Sequence, residues 1–177
     1  MSELEEAWAL ALAEAEARAR AAGRVDISEY LALRGSNDLL RKTGIGWLLG
    51  LFESIAQEAN TGGTAIQINR EDGHRFKVGT ATMVGPLLKL QRGVRNLKVE
   101  VGWPRTPRDG FIRGGGLACG NITHVGIKSS SEQIKLVLAP NGEPRWVIEN
   151  KPKQVIHEAD VREHVSILVD NSKIKRS

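Results

Sequence analysis

The chain has a single cysteine, Cys119, among 177 residues. No intrachain disulfide can brace it, and the framework of a small disulfide-stapled secreted domain is excluded. Aromatic residues are scarce at 5%, low for an extended base-stacking surface. Long apolar runs are missing too. The longest, residues 45–52 (IGWLLGLF), is far below the roughly 20 residues with which a helix crosses a bilayer. The opening MSELEEAWALALAEAEARAR is acidic where a secretory leader carries a basic segment before its apolar core. These features point to a cytoplasmic chain with no integral membrane association. On that reading the sequon Asn121-Ile122-Thr123 is incidental.

Motifs that carry chemistry are equally sparse. The stretch FIRGGGLACGNITH at residues 111–124 has a triple glycine but no Gly-Lys-Ser/Thr, and its glycines do not space as G-x-G-x-x-G. It reads as a glycine-rich bulge or bend in a strand. Four histidines, His74, His124, His157 and His164, form neither H-E-x-x-H nor a cysteine-histidine zinc spacing. His157 and His164 read as ordinary surface residues, and neither a metal nor a cofactor is expected. As a nucleophile, Cys119 would need a base such as His124, five residues on. Residues five apart on a straight strand point to opposite faces, so catalysis would need them on neighbouring strands.

What the chain does have is the composition of a folded domain, 41% hydrophobic and 26% charged. Leu4, Trp8, Leu12, Ala15 and Ala19 recur every four residues, which predicts an alanine-rich first helix ending near Gly23. Asp26 or Ser28 is expected to cap a short second helix, and Ser36-Asn37-Asp38 to start a third. Trp47, Leu48, Leu51, Phe52, Ile55, Ala56 and Ala59 then hold helical spacing up to residues 60–63 (NTGG). Gly46 and Gly50 leave one face of that helix small, suited to close contact with the alanines of the first.

Beyond residue 63 the period becomes that of strands. Residues 64–69 and 75–82 predict a hairpin about Asp72-Gly73. Further strands are expected at 94–101, 111–118, 122–127, 133–138 and 145–149, with VSILV at 165–169 as a last one. The expected fold is α+β: a helical region, residues 1–60, packed on an antiparallel β-rich region, 64–170, forming a sheet, sandwich or open barrel in one integrated domain. Residues 171–177 read as a basic flexible tail.

Charge is divided between these parts. Residues 1–60 hold 6 Lys and Arg against 10 Asp and Glu, a net −4, and residues 61–177 hold 19 against 11, a net +8. The basic excess is densest over residues 89–113, where Lys89, Arg92, Arg95, Lys98, Arg105, Arg108 and Arg113 face only Glu100 and Asp109. Residues 103–110 (WPRTPRDG) read as an exposed loop, because the prolines resist strand pairing and Asp-Gly favours a turn. Arginine forks there can clamp phosphate or carboxylate, and Trp103 can stack on a ring. The competing explanation is a charged solvent face with Trp103 in the core. The functional expectation is a non-catalytic binding or adaptor module that meets nucleic acid or an acidic protein through Arg95, Lys98, Trp103, Arg105, Arg108 and Arg113. Assembly as a homo-oligomer through the small helix faces is a further expectation. The alternative class is a small cysteine-dependent hydrolase or transferase using Cys119 and His124.

Overall fold

The computed structural model describes residues 3–23 and 25–170. Two helices, α1 (Glu3–Ala21) and α2 (Val25–Thr61), precede seven strands: β1 (Gln67–Val78), β2 (Ala81–Arg92), β3 (Arg95–Gly102), β4 (Ala118–His124), β5 (Glu132–Leu138), β6 (Pro144–Ile148) and β7 (Lys151–Val155). A third helix, α3 (Glu158–Val169), follows them. The strands form one antiparallel sheet in chain order, β1 to β7, and the sheet is not closed. The fold is α+β, with helices on a single open sheet.

The second half of α2 is what docks the helices on the sheet. Leu48, Leu49 and Phe52 are fully buried and share one core with Leu88, Leu90, Leu97, Val99, Ile122, Ile134, Leu136 and Trp146 from the strands. Val161, Val165 and Leu168 of α3 complete that core, and α1 adds Leu4 and Trp8. Burying a side chain of this size contributes roughly 1.5–3 kcal/mol. Alternation along β3 then places Lys98 and Glu100 on the opposite face, beside Asn121 and Thr123 of β4, all partly exposed.

Glycine sets two of the closest approaches. The carbonyl of Gly44 accepts a hydrogen bond from Trp146 Nε1 at 2.8 Å, and a Cβ on Gly44 would stand 2.8 Å from Leu136 Cδ2. A side chain there would force the buried Leu136 side chain to shift. Between β2 and β3, a Cβ on Gly85 would meet the Val101 carbonyl at 2.0 Å, and one on Gly102 would meet the Val84 carbonyl at 2.4 Å. The two backbones touch where any other residue would hold them apart.

Several elements differ from expectation. The Asp72-Gly73 pair does not turn a hairpin but lies within β1 at a register shift, opposite Pro86 of β2. Proline has no N–H for the ladder, so the pairing is interrupted there and β1 bulges across the gap. The chain reverses instead at Gly79-Thr80. Helix α2 runs unbroken through positions 36–38, where a helix start was expected. VSILV is the end of α3 rather than a strand, and residues 111–117 are loop rather than strand. Gly46 and Gly50 are exposed, with nothing among the described side chains within 4 Å of a Cβ, so no described contact with α1 uses them. The tail at 171–177 lies outside the described residues.

The opposite charges of the two parts do meet across elements. Arg145 pairs with Glu5 at 3.7 Å, Arg162 with Glu58 at 2.7 Å and Arg70 with Glu53 at 3.5 Å. Glu5 is buried, whereas Arg162 and Glu58 are both exposed, and an exposed pair of that kind adds about 0–1 kcal/mol.

Candidate functional site

At the end of β3, Trp103 pairs through its backbone with Val84 and is partly buried against the main core. Its indole ring carries the Arg105 guanidinium 3.5 Å from the ring centroid, and Arg41 of α2 stands 5.4 Å from the same ring. Arg105 also donates from Nη2 to the Val84 carbonyl at 3.0 Å. Arg41 donates from Nε to the Leu117 carbonyl at 2.8 Å and pairs with Asp38 at 3.1 Å. Two cations 64 positions apart in sequence thus share one aromatic ring. Partial burial, followed by the repulsion of Arg41, holds the Arg105 guanidinium below its ordinary pKa, with Asp38 acting the other way.

Asp109 shapes the loop that follows. Its carboxylate is buried and accepts the backbone amides of Arg105 at 3.0 Å and Thr106 at 3.1 Å, while Arg75 donates to its other oxygen at 3.0 Å. The Arg105 amide, with the amide of Thr106 and the Arg75 charge, holds this carboxyl below the usual carboxylate range. Pro107–Asp109 forms a short 3-10 turn closed by Asp109 N–H to Thr106 O. Arg108 and Arg113 are exposed and make no ion pair among the described residues.

The other anticipated site residues are placed differently. Arg95 donates to the carbonyls of Ile167, Leu168 and Asp170, and Arg92 to that of Val169. Both guanidinium groups cap the C-terminal end of α3, where free carbonyls attract a cation. Lys98 lies on the open sheet face, directly across from Lys89. Trp103 has one ring face under Arg105 and offers no free platform there.

Cys119 and His124 are not brought together. Cys119 lies in a small cluster with Phe76, Ala81 and Met83, where burial pushes its thiol up to about 11. His124 points to the opposite face of β4, where its Nε2 is 2.8 Å from His164 Nδ1. His164 Nε2 in turn lies 3.0 Å from Glu132. Both imidazoles are buried, so His164 is a core residue rather than the surface one expected. A polar cleft of about 210 Å3 opens beside His164, lined in part by Glu132, Asp160 and Glu163. Among the described residues no group of three or more His, Cys, Asp or Glu is placed to hold a metal ion.

On the open face, His74 Nε2 stands 2.8 Å from Glu100, whose other oxygen accepts the Asn121 amide at 2.9 Å. This chain orients an imidazole toward the sheet surface. It was not legible in sequence, because its three members come from β1, β3 and β4. Arg41 was missed for the same reason: only the docking of α2 brings it to Trp103. Comparison with protein-family models, with curated proteins and with solved structures finds no match to this chain.

Proposed function

We propose that this protein is a non-catalytic binding module that engages an anionic partner through Arg41, Arg105, Arg108 and Arg113. The observation that carries the reading is the pair of guanidinium groups, Arg41 and Arg105, held at one indole ring. Like charges gathered this closely repel, and an anion bridging them relieves that repulsion. Guanidinium forks suit the planar oxygens of phosphate and carboxylate. Asp109 fixes the backbone of the loop before any partner arrives, which lowers the ordering cost of binding. Arg95, committed to α3, and Lys98, on the sheet face, stand outside this group.

The test is fluorescence anisotropy of a labelled oligonucleotide and of a labelled polyglutamate peptide across a salt series. Against wild type stand an Arg41→Gln/Arg105→Gln variant and an Arg108→Glu/Arg113→Glu variant, each checked for folding by circular dichroism. The reading requires at least one polyanion to bind in a salt-sensitive way, with affinity falling tenfold or more in a folded variant. Wild-type affinity in both folded variants, or no binding at low salt, overturns it.

A further inference from the structure

Phe111 is the one large aromatic side chain among the described residues that stands almost entirely in solvent, 83% exposed. An unanchored loop tip would explain such exposure, but this tip is anchored on both sides. Two residues before it, Asp109 is buried and tied to Arg75 and to the amides of Arg105 and Thr106. The next residue, Ile112, packs against the small cluster of Phe76, Ala81, Met83 and Cys119. The chain buries Asp109, half-buries Ile112 and presents Phe111 between them. Leaving a phenyl ring in water forgoes a hydrophobic gain that folding normally takes, so a ring held out on a fixed loop points to a use outside the monomer.

The charges around the ring select the partner. Arg108 and Arg113 flank Phe111 in the chain, both exposed and both without an ion pair among the described residues. A flat apolar ring with two exposed arginines within three residues of it in the chain is complementary to a ligand that offers both flat rings and anionic groups. An acidic peptide supplies the charge without the rings, and a closed duplex hides its ring faces in the stack. An unpaired strand supplies both.

We infer that the loop 105–113 binds single-stranded nucleic acid, with a base stacked on Phe111 and neighbouring phosphates on Arg108 and Arg113. This rests on the anionic-partner reading above and names the partner. Trp103, the aromatic residue that the sequence singles out, is covered by Arg105, so stacking falls to Phe111.

The test uses the full chain and its Phe111→Ala and Phe111→Trp variants, all confirmed as folded by thermal unfolding. Probes are single-stranded RNA and DNA decamers carrying 2-aminopurine, the same strands with central abasic sites, a DNA duplex and polyglutamate. Single strands should bind wild type with a change in 2-aminopurine fluorescence. Phe111→Ala should weaken that binding about tenfold while leaving the salt slope unchanged, as expected when a stacked base is lost and phosphate contacts remain. Phe111→Trp should restore it, and abasic strands should not distinguish Phe111→Ala from wild type. The relative affinity of the RNA and DNA strands assigns the sugar. Equal binding of normal and abasic strands, or wild-type affinity in Phe111→Ala, overturns the inference and leaves the arginine reading standing. Preference for the duplex or for polyglutamate does the same. Failure of every polyanion to bind overturns both.

Discussion

His124 Nε2 and His164 Nδ1 lie 2.8 Å apart inside the protein, joining β4 to α3 through a hydrogen bond between two buried imidazoles. One set of neutral tautomers satisfies the chain, with His124 donating to His164 and His164 donating from Nε2 to Glu132. Replacing His164 with leucine keeps much of the volume and removes both bonds, stranding the His124 nitrogen that faces it. His164→Leu is expected to cost about 1–3 kcal/mol. The double variant His124→Leu/His164→Leu should cost less than the sum of the single ones, because it leaves no imidazole facing an apolar side chain. Denaturant unfolding of the three variants measures the coupling, and strict additivity would contradict it.

Glycine is not equally required along the chain. Gly102→Ala places a methyl 2.4 Å from the Val84 carbonyl, where only backbone can move. We expect a loss of about 1–3 kcal/mol, as in other overpacked sites. Gly46→Ala meets open space on an exposed helix face and should stabilise by about 1 kcal/mol through helix propensity. Thermal unfolding compares the two.

Gly50 tests assembly. Because nothing among the described residues approaches it, Gly50→Leu should fold normally. A mass lower than that of wild type by light scattering would place a second copy on this face. Equal masses would remove α2 from any oligomer contact.

Acid should loosen the loop 105–110. The Asp109 carboxyl is held below the ordinary range by bonds that exist only in the folded chain. Its stabilising contribution is therefore fully present above the pKa of an unfolded aspartate and is lost as the pH falls through the lower, folded value. The amide resonances of Arg105 and Thr106 should shift together at that step, and Asp109→Asn should abolish the transition. A pH-independent pair of amides in the wild type would speak against this role.

Cys119 should be slow to react. Burial raises its thiol to about 11, so almost no thiolate is present near neutral pH. Its contribution to stability holds below the ordinary thiol value and fades as the pH rises toward that figure. Reaction with a disulfide reagent at pH 8 should trail a model peptide by more than tenfold and recover in denaturant. A rate equal to the peptide's would require an open cysteine.

How much of this could be read from residues alone varied with the range of the interaction. The apolar spacing from Trp47 to Ala59 reports a helix directly, since residues three and four apart meet on one face. Residues 133–138 and 145–149 likewise read as paired strands, because only a short turn separates them. Asp72-Gly73 misled because its partner in the ladder, Pro86, is distant, and proline opposite turned a hairpin signal into a bulge. The α3 pattern was present as Val161, His164, Val165 and Leu168, but one of its buried positions is histidine, which apolar counting passes over. Proline and Asp-Gly signals put Arg105 and Arg108 on a loop, and the structure has both of them exposed there. Arg95 had the right charge, yet its use was decided by where α3 ends. Arg41 and the His74–Glu100–Asn121 chain depend wholly on distant elements.

The order of the strands also shapes how the chain comes together. Each strand pairs with the one before it, so the sheet can grow hairpin by hairpin, with the connection from Gly102 to Ala118 the longest to close. Such local pairing favours rapid folding. The helices impose the longer closures: the bond from Trp146 to Gly44 spans 102 residues, and the clamp from Arg95 onto α3 spans more than 70. The sheet can therefore form early, with its inner face open until α2 settles and α3 is caught by Arg92 and Arg95. Once docked, α3 is held at its end by those two arginines, which donate to its last carbonyls.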